Sequence, residues 1–237
     1  MRHGLRLFHV DSFWYPYSER AGEPDPSPDV QWLEWTPATQ APDFERISRR
    51  NLGYVLDDLR ALPLRPSVLV EGPQVVPDVL PDGANAVFLV PTEAFQREVL
   101  SPRPMPSSDP ARALEARLVK DRLYADRVAT LARERRFPVI EVDGGRSPEA
   151  ILAEVEELFP GFLAASRPDD LAAVRRWENE NAGRNLRAWI ASDDLRGSAA
   201  LRFSFACECG RAGCGARVLL TVPEFDAAAR VVAPGHA

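Results

Sequence analysis

Three cysteines and a histidine near the end of the chain have the residue types and spacing of a metal site. Cys207, Cys209 and Cys214 follow the pattern C-x-C-x₄-C, and His236 lies in the final Pro-Gly-His-Ala. Three thiols and an imidazole suit tetrahedral Zn²⁺. The C-x-C spacing is tighter than the usual C-x₂-C of zinc ribbons, so a cluster of reduced cysteines is the alternative. We favour a metal, because so short a cysteine-rich segment has little core of its own.

Two acidic residues follow apolar runs and are candidates for catalysis. Asp11 comes after residues 5–10, and Glu71 comes after residues 67–70. A carboxylate at such a position can take a proton from a substrate hydroxyl or hold Mg²⁺ through water. Each residue also has a structural interpretation. Asp11 would then be a helix cap or a solvated loop acid, and Glu71 would be a turn acid before Gly-Pro.

The elements that must position these residues alternate along the chain. Short apolar runs predict strands at 5–10, 67–70, 86–90 and 137–142, with helices between them, including 110–135. This alternation predicts an α/β fold with a mainly parallel sheet flanked by helices. Ligands of such sheets bind at the carboxyl ends of the strands. The polar residues at those ends are Asp11, Glu71, Thr92 and Asp143.

The remaining segments predict a lid and a separate C-terminal part. Residues 19–43 are rich in proline and acidic residues and are expected to form a mobile surface segment. A helix over 168–190 has a polar middle, and a small cysteine-rich appendage follows it. We therefore expect an α/β domain at 1–165 and, at 166–237, a helix followed by a metal-binding module.

The composition excludes several classes of protein. Lys and Arg number 29 against 35 Asp and Glu, so the net charge is −6. This balance argues against nucleic-acid and anionic-membrane binding, which need a basic excess. The sequence has no run of 18 apolar residues and no signal-peptide pattern at its start. Three cysteines are an odd count for a disulfide framework, so we expect reduced thiols. The expected location of the protein is therefore the cytoplasm.

Arginine supplies almost all of the positive charge. The single lysine, Lys120, lies outside any G-x-x-x-x-G-K-[ST] motif, so the sequence contains no phosphate loop of that type. The planar guanidinium group of arginine can donate two parallel hydrogen bonds to phosphate oxygens. Because arginine replaces lysine throughout, most arginines are expected on solvated surfaces. The candidates for phosphate contact are Arg97, Arg103, Arg112, Arg117, Arg122 and Arg127.

Residues 4–160 resemble the nucleoside- and nucleotide-kinase-like branch of P-loop NTPases, as found in predicted bacterial ATP-binding proteins. The most specific segments are EGP-x₃-PD and LVPT-x₂-FQR. The longer segments that carry the resemblance are LRLFHVDSFW, DDLRALPLRPSVLVEGPQVVPDVLP, AVFLVPTEAFQREVL and VKDRLYADRVATLARERRFPVIEVDGG. The resemblance implies a P-loop kinase-like parallel sheet flanked by helices, with ATP and Mg²⁺ as cofactors. It also implies phosphoryl transfer to a small-molecule acceptor.

The resemblance also assigns roles to six residues. Asp11 would meet the acceptor, and Glu71 would support Mg²⁺. Arg97 and Arg103 match the arginine-bearing lid region of the family. Asp143 and Gly144 match the turn near the adenine.

The family's first strand and phosphate loop would precede residue 4 and are missing here. We therefore expect either that Met1 is not the natural start or that the chain is a relic. Residues 1–237 are accordingly predicted to lack kinase turnover.

A second resemblance concerns the C-terminal F-x-C-E-C-G-x₃-C…P-G-H pattern, which is similar to a small cysteine-containing module at the ends of bacterial proteins. It implies no activity.

Two functions follow from the sequence. The first is an ATP-binding, kinase-like phosphotransferase that is inactive because the phosphate loop is absent. The alternative is a non-catalytic scaffold, in which the zinc-binding tail and the helix at 168–190 bind a protein partner.

Overall fold

A computed structural model describes residues 5–62, 67–164, 170–191 and 200–236. The strands of this part of the chain are β1 (Arg6–His9), β2 (Val68–Glu71), β3 (Phe88–Pro91), β4 (Val139–Val142), β5 (Phe203–Ala206) and β6 (Arg217–Leu220). Its helices are α1 (Trp14–Ala21), α2 (Pro37–Arg60), α3 (Glu93–Leu100), α4 (Pro110–Glu134), α5 (Pro148–Leu158), α6 (Pro160–Ala164), α7 (Leu171–Ala191) and α8 (Val222–Ala227). Short 3₁₀ turns cover Val10–Phe13 and Pro77–Val79, and a π-helix covers Val30–Glu34.

The contacts divide the chain into two compact units. Unit 1 contains the described residues of 1–23, 55–73 and 161–237, and unit 2 contains those of 24–54 and 74–160. The C-terminal segment therefore packs with the first strands of the chain. The domain boundary expected near residue 165 stays a prediction.

Unit 1 begins with the parallel pair β1–β2, in which His9 lies opposite Glu71. Gly72 turns the chain at the end of β2 with a φ of 144°, and a Cβ there would lie 3.0 Å from the Cβ of Val10. A side chain at this position would therefore press on the buried residue that follows β1. The sharp turn after Glu71 depends on glycine for this reason.

Helix α7 packs against β1 and against the C-terminal module, which we define as residues 200–236. On the β1 side, the ring of Trp177 lies 5.9 Å from the ring of Phe8. On the other side, β5 and β6 form an antiparallel pair. Phe205 of β5 is buried together with Phe225 and Val231, and the three form a small core. The module thus completes its core with apolar residues of α7, because its own short strands cannot enclose one.

Unit 2 is built on the parallel pair β3–β4, which packs against α4. Three of its helices begin at residues whose side chains accept a backbone N–H of the first turn, which is the usual N-cap arrangement. Thr92 caps α3, Asp109 caps α4, and Ser147 caps α5. Proline follows the cap directly in α4 and α5, where its missing N–H costs nothing.

The α/β class is confirmed, but the described strands do not form the single parallel sheet that the sequence predicted. They pair two by two, with β1–β2 and β3–β4 parallel and β5–β6 antiparallel. Apolar runs located β1 to β4 within two residues of their observed bounds. Such runs do not encode which strands become neighbours, because pairing depends on contacts far along the chain.

The segment at residues 19–43, expected to be a mobile surface segment, contains regular structure. Helix α2 begins at Pro37, and residues 30–34 form the π-helix. Buried Gln40 joins the two, because its Nε2 donates to the carbonyl oxygens of Gln31 at 2.6 Å and Trp35 at 3.0 Å. The proline-rich composition concealed this local hydrogen bonding.

Candidate metal centre

The four predicted metal ligands come from two loops of the C-terminal module. Cys207 and Cys209 follow β5 directly, and Cys214 lies before β6. His236 comes from the segment after α8. Glycines at 210, 213 and 235 each adopt a φ of 75°, which bends the backbone in a way that favours glycine. These turns direct all four side chains to one point.

The geometry of the cluster fits a tetrahedral ion. The ligand atoms of Cys207, Cys209, Cys214 and His236 all lie within 4.8 Å of one another. The Nδ1 atom of His236 is 3.5 Å from the Sγ of Cys207 and 3.4 Å from the Sγ of Cys214. Zn–S and Zn–N bonds of about 2.3 and 2.05 Å at tetrahedral angles place sulfur and nitrogen about 3.6 Å apart. The four residues can therefore hold a metal ion with little rearrangement.

Backbone N–H groups stabilise the ionised thiols. Burial raises the pKa of Cys207. Hydrogen bonds from the backbone N–H groups of Ala233 and Cys209 and from the His236 side chain lower it, so that the pKa lies below its ordinary value. For Cys209, the backbone N–H of Arg211 is the main cause of a lowered pKa. Thiolates are the form of cysteine that binds metals. These two ligands are thus prepared for coordination.

The third thiol behaves differently. The backbone N–H of Ala216 lowers the pKa of Cys214, yet burial and the neighbouring sulfurs of Cys209 and Cys207 raise it above its ordinary value overall. Three thiols this close cannot all carry charge without a cation between them. A metal ion would displace the thiol protons that remain, so metal binding should be weaker at low pH.

A buried carboxylate, that of Glu208, stabilises the loop that contains the cysteines through hydrogen bonds. Glu208 lies between two of the cysteines, and its side chain is 1% exposed. Its Oε1 accepts from the Nδ2 of Asn179 at 2.7 Å, and its Oε2 accepts from the backbone N–H of Val231 at 3.1 Å. Arg230 donates to the Glu208 carbonyl. These supporting residues were not predicted from the sequence. An acid between two cysteines and the polar middle of the helix were the available signals.

The structure places the two candidate catalytic acids at the same end of β1–β2. Asp11 is exposed in the 3₁₀ turn that follows β1, and Glu71 is the last residue of β2. Glu71 contacts the Nδ1 of His9. This hydrogen bond raises the pKa of His9 against the opposing effect of burial. The pair is about half-exposed, which is compatible with a surface ion pair as well as with acid–base chemistry.

The other predicted residues lie in unit 2. The Nη1 and Nη2 atoms of Arg97 donate to the carboxylate of Glu115 at 2.6 and 3.0 Å, and Arg103 is exposed after α3. Asp143 accepts from the backbone N–H of the residue two positions on, at 2.9 Å. Gly144 has a φ of 82°, and a Cβ there would lie 2.7 Å from a ring carbon of Phe95. These contacts give Arg97, Asp143 and Gly144 structural roles, whether or not a nucleotide binds.

Within the described residues, the Cys₃His group is the one cluster of His, Cys, Asp and Glu with a ligand arrangement for a metal. None of the helices in that part of the chain is both long enough and apolar enough to cross a membrane. Comparisons of the chain with protein-family models, with curated proteins and with solved structures found no match.

Proposed function

We propose that this protein binds one Zn²⁺ ion through Cys207, Cys209, Cys214 and His236, and that the ion has a structural role. The observation that carries the proposal is the convergence of three sulfurs and one imidazole nitrogen within 4.8 Å. Soft thiolate ligands with an imidazole suit zinc, whereas Mg²⁺ and Ca²⁺ take oxygen ligands.

The number of protein ligands argues for structure rather than catalysis. Structural zinc sites have four protein ligands, and catalytic sites keep one position for water or substrate. Here four side chains converge, so the coordination shell would be closed. The module also has a small core, made by Phe205, Phe225 and Val231. A zinc ion would join the loop after β5 to the segment after α8. It would thereby supply stability that so small a hydrophobic core cannot provide.

The experiment is a metal analysis of protein purified without chelator. We expect about one equivalent of zinc in the wild type and a large loss in Cys209→Ser. Asp226→Asn, an exposed change on α8 of the same module, is the matched control and should retain the zinc. Replacement by Co²⁺ should give the absorption spectrum of a tetrahedral thiolate site. Absence of zinc from the wild type, or full zinc in Cys209→Ser, would refute the proposal.

The phosphotransferase interpretation remains a separate prediction. It assigns Asp11 to a small-molecule acceptor and Glu71 to Mg²⁺, with ATP as donor. The contact of Glu71 with His9 and the pairing of Arg97 with Glu115 do not favour it. Magnesium-dependent nucleotide binding that is lost in Asp11→Asn and Glu71→Gln would support it. Binding of a protein partner that survives both changes would support the scaffold alternative.

A further inference from the structure

Two consecutive side chains of α7 hold the free edges of two different strand pairs. Glu178 accepts from the backbone N–H of Leu7 in β1 at 2.7 Å. The carboxamide of Asn179 takes the place of a neighbouring strand beside β5. Its Oδ1 accepts from the backbone N–H of Ala206 at 2.8 Å, and its Nδ2 donates to the Ala206 carbonyl at 2.9 Å. Successive residues of a helix point about 100° apart, so one helix can reach both pairs.

Asn179 also connects α7 to the metal centre. Its Nδ2 donates to Glu208 at 2.7 Å, and both side chains are almost fully buried. The Nη1 atom of Arg176, one turn earlier in α7, lies 3.8 Å from the other oxygen of Glu208. A buried carboxylate is costly without such partners. The Oε2 of Glu208 keeps the backbone N–H of Val231 within the module, whereas its Oε1 has the Nδ2 of Asn179 only while α7 lies against the module.

The position of Glu208 in the chain makes this contact sensitive to the metal. Its neighbours on both sides, Cys207 and Cys209, are candidate ligands, so coordination would fix the backbone on either side of it. A metal-free loop can move, and the partners of Glu208 would then separate.

We propose that metal binding is coupled to the docking of α7 through the Asn179–Glu208 contact. Through the adjacent Glu178, the coupling extends to the free edge of β1. Asn179 and Glu208 are positioning residues, because neither binds the metal. This inference rests on the proposed zinc site. Coupling between two sites is reciprocal, so the loss of the contact should weaken metal binding, and the loss of metal should loosen α7.

The first test is amide hydrogen exchange of the full-length protein with zinc bound and after its removal by a chelator. We expect removal to accelerate exchange in residues 171–191 and at Leu7, as well as in the ligand loops. Helix α4 of unit 2 is the internal reference and should not change. Acceleration confined to residues 200–236 would overturn the coupling while leaving the zinc site intact.

The second test measures zinc affinity by competition with a chromophoric chelator. We expect Asn179→Ala to bind zinc about tenfold or more weakly, the range found for residues that support metal ligands. Bound zinc should then no longer protect α7 from exchange. Arg187→Gln, which removes an exposed ion pair of 2.6 Å between α7 and α8, is the control and should match the wild type.

Wild-type affinity in Asn179→Ala would overturn the coupling. Where that variant does not fold, the exchange experiment on the wild type decides. A wild-type protein that binds no zinc would refute the proposed site and the coupling together.

Discussion

At the scale of single residues, Gly183 shows how closely α7 meets the C-terminal module. A Cβ at this position would lie 2.7 Å from the Cε1 atom of Phe225, and 3.1 Å from its Cδ1. Phe225 is buried and stacks on Phe205 at 4.3 Å, so its ring has little room to move. Overpacking should cost about 1–3 kcal/mol, and the gain in helix propensity offsets about 0.5–1 kcal/mol of it. We therefore expect Gly183→Ala to lower the free energy of unfolding by roughly 1–2 kcal/mol, as measured by urea denaturation.

Gly53, inside α2, provides the matched control for this prediction. A Cβ there meets nothing within 4 Å. Gly53→Ala should therefore stabilise the protein by about 0.5–1 kcal/mol through helix propensity. Equal effects of the two substitutions would contradict the packing that the structure shows around Phe225.

The His9–Glu71 pair makes a second prediction at this scale. Its hydrogen bond raises the pKa of His9 in the folded protein. The pair therefore contributes its full stability below the unfolded pKa of about 6.5, and this stability is lost as the pH rises through the folded value. We expect His9→Gln to reduce the free energy of unfolding more at about pH 6 than at about pH 9. Because both side chains are half-exposed, the difference should be at most about 1 kcal/mol.

Urea denaturation at the two pH values measures this difference. Glu71→Gln should show the same pH dependence, because it removes the other partner of the same pair. A loss that does not vary with pH in either variant would show that the ion pair contributes nothing.

At the scale of elements, local patterns predicted positions well and partners poorly. The strand bounds of β1 to β4 and the extent of α4 and α7 followed from apolar runs, caps and prolines. The four candidate metal ligands were predicted from residue type and spacing, and the structure brings them together. Neither source indicated that Asn179 and Glu208 would meet, because they are 29 positions apart and belong to elements without a shared local pattern. The polar middle of α7 gave no sign of burial, yet Arg175, Asn179 and Asn181 are buried.

The capping box of α8 provides a prediction about an element. The Oγ1 of Thr221 accepts from the backbone N–H of Glu224 at 3.2 Å, and the Glu224 carboxylate accepts from the backbone N–H of Thr221 at 2.8 Å. This helix carries Phe225 into the module's core. We expect Thr221→Ala to cost about 1 kcal/mol of unfolding free energy, whereas Thr221→Ser should cost less. Thermal unfolding of the two variants compares them, and equal losses would exclude a capping role.

At the scale of the whole molecule, the grouping of distant segments is the feature that the sequence could not reveal. Unit 1 unites the described residues of 1–23 with those of 161–237. Glu178 and Leu7, for example, are 171 positions apart and share a hydrogen bond. Periodicity reports only on neighbours within an element. The sequence therefore predicted the C-terminal module as an appendage, whereas its contacts place it in the same compact unit as β1 and β2.

The central claim, one zinc ion held by three cysteines and one histidine, is tested most directly by native mass spectrometry. Full-length protein purified without chelator should carry the mass of one zinc ion less the protons that it displaces. Denaturation in acid should remove this mass completely, because the ligands then take up protons. A native mass equal to that of the bare chain, unchanged after addition of excess zinc, would contradict the account.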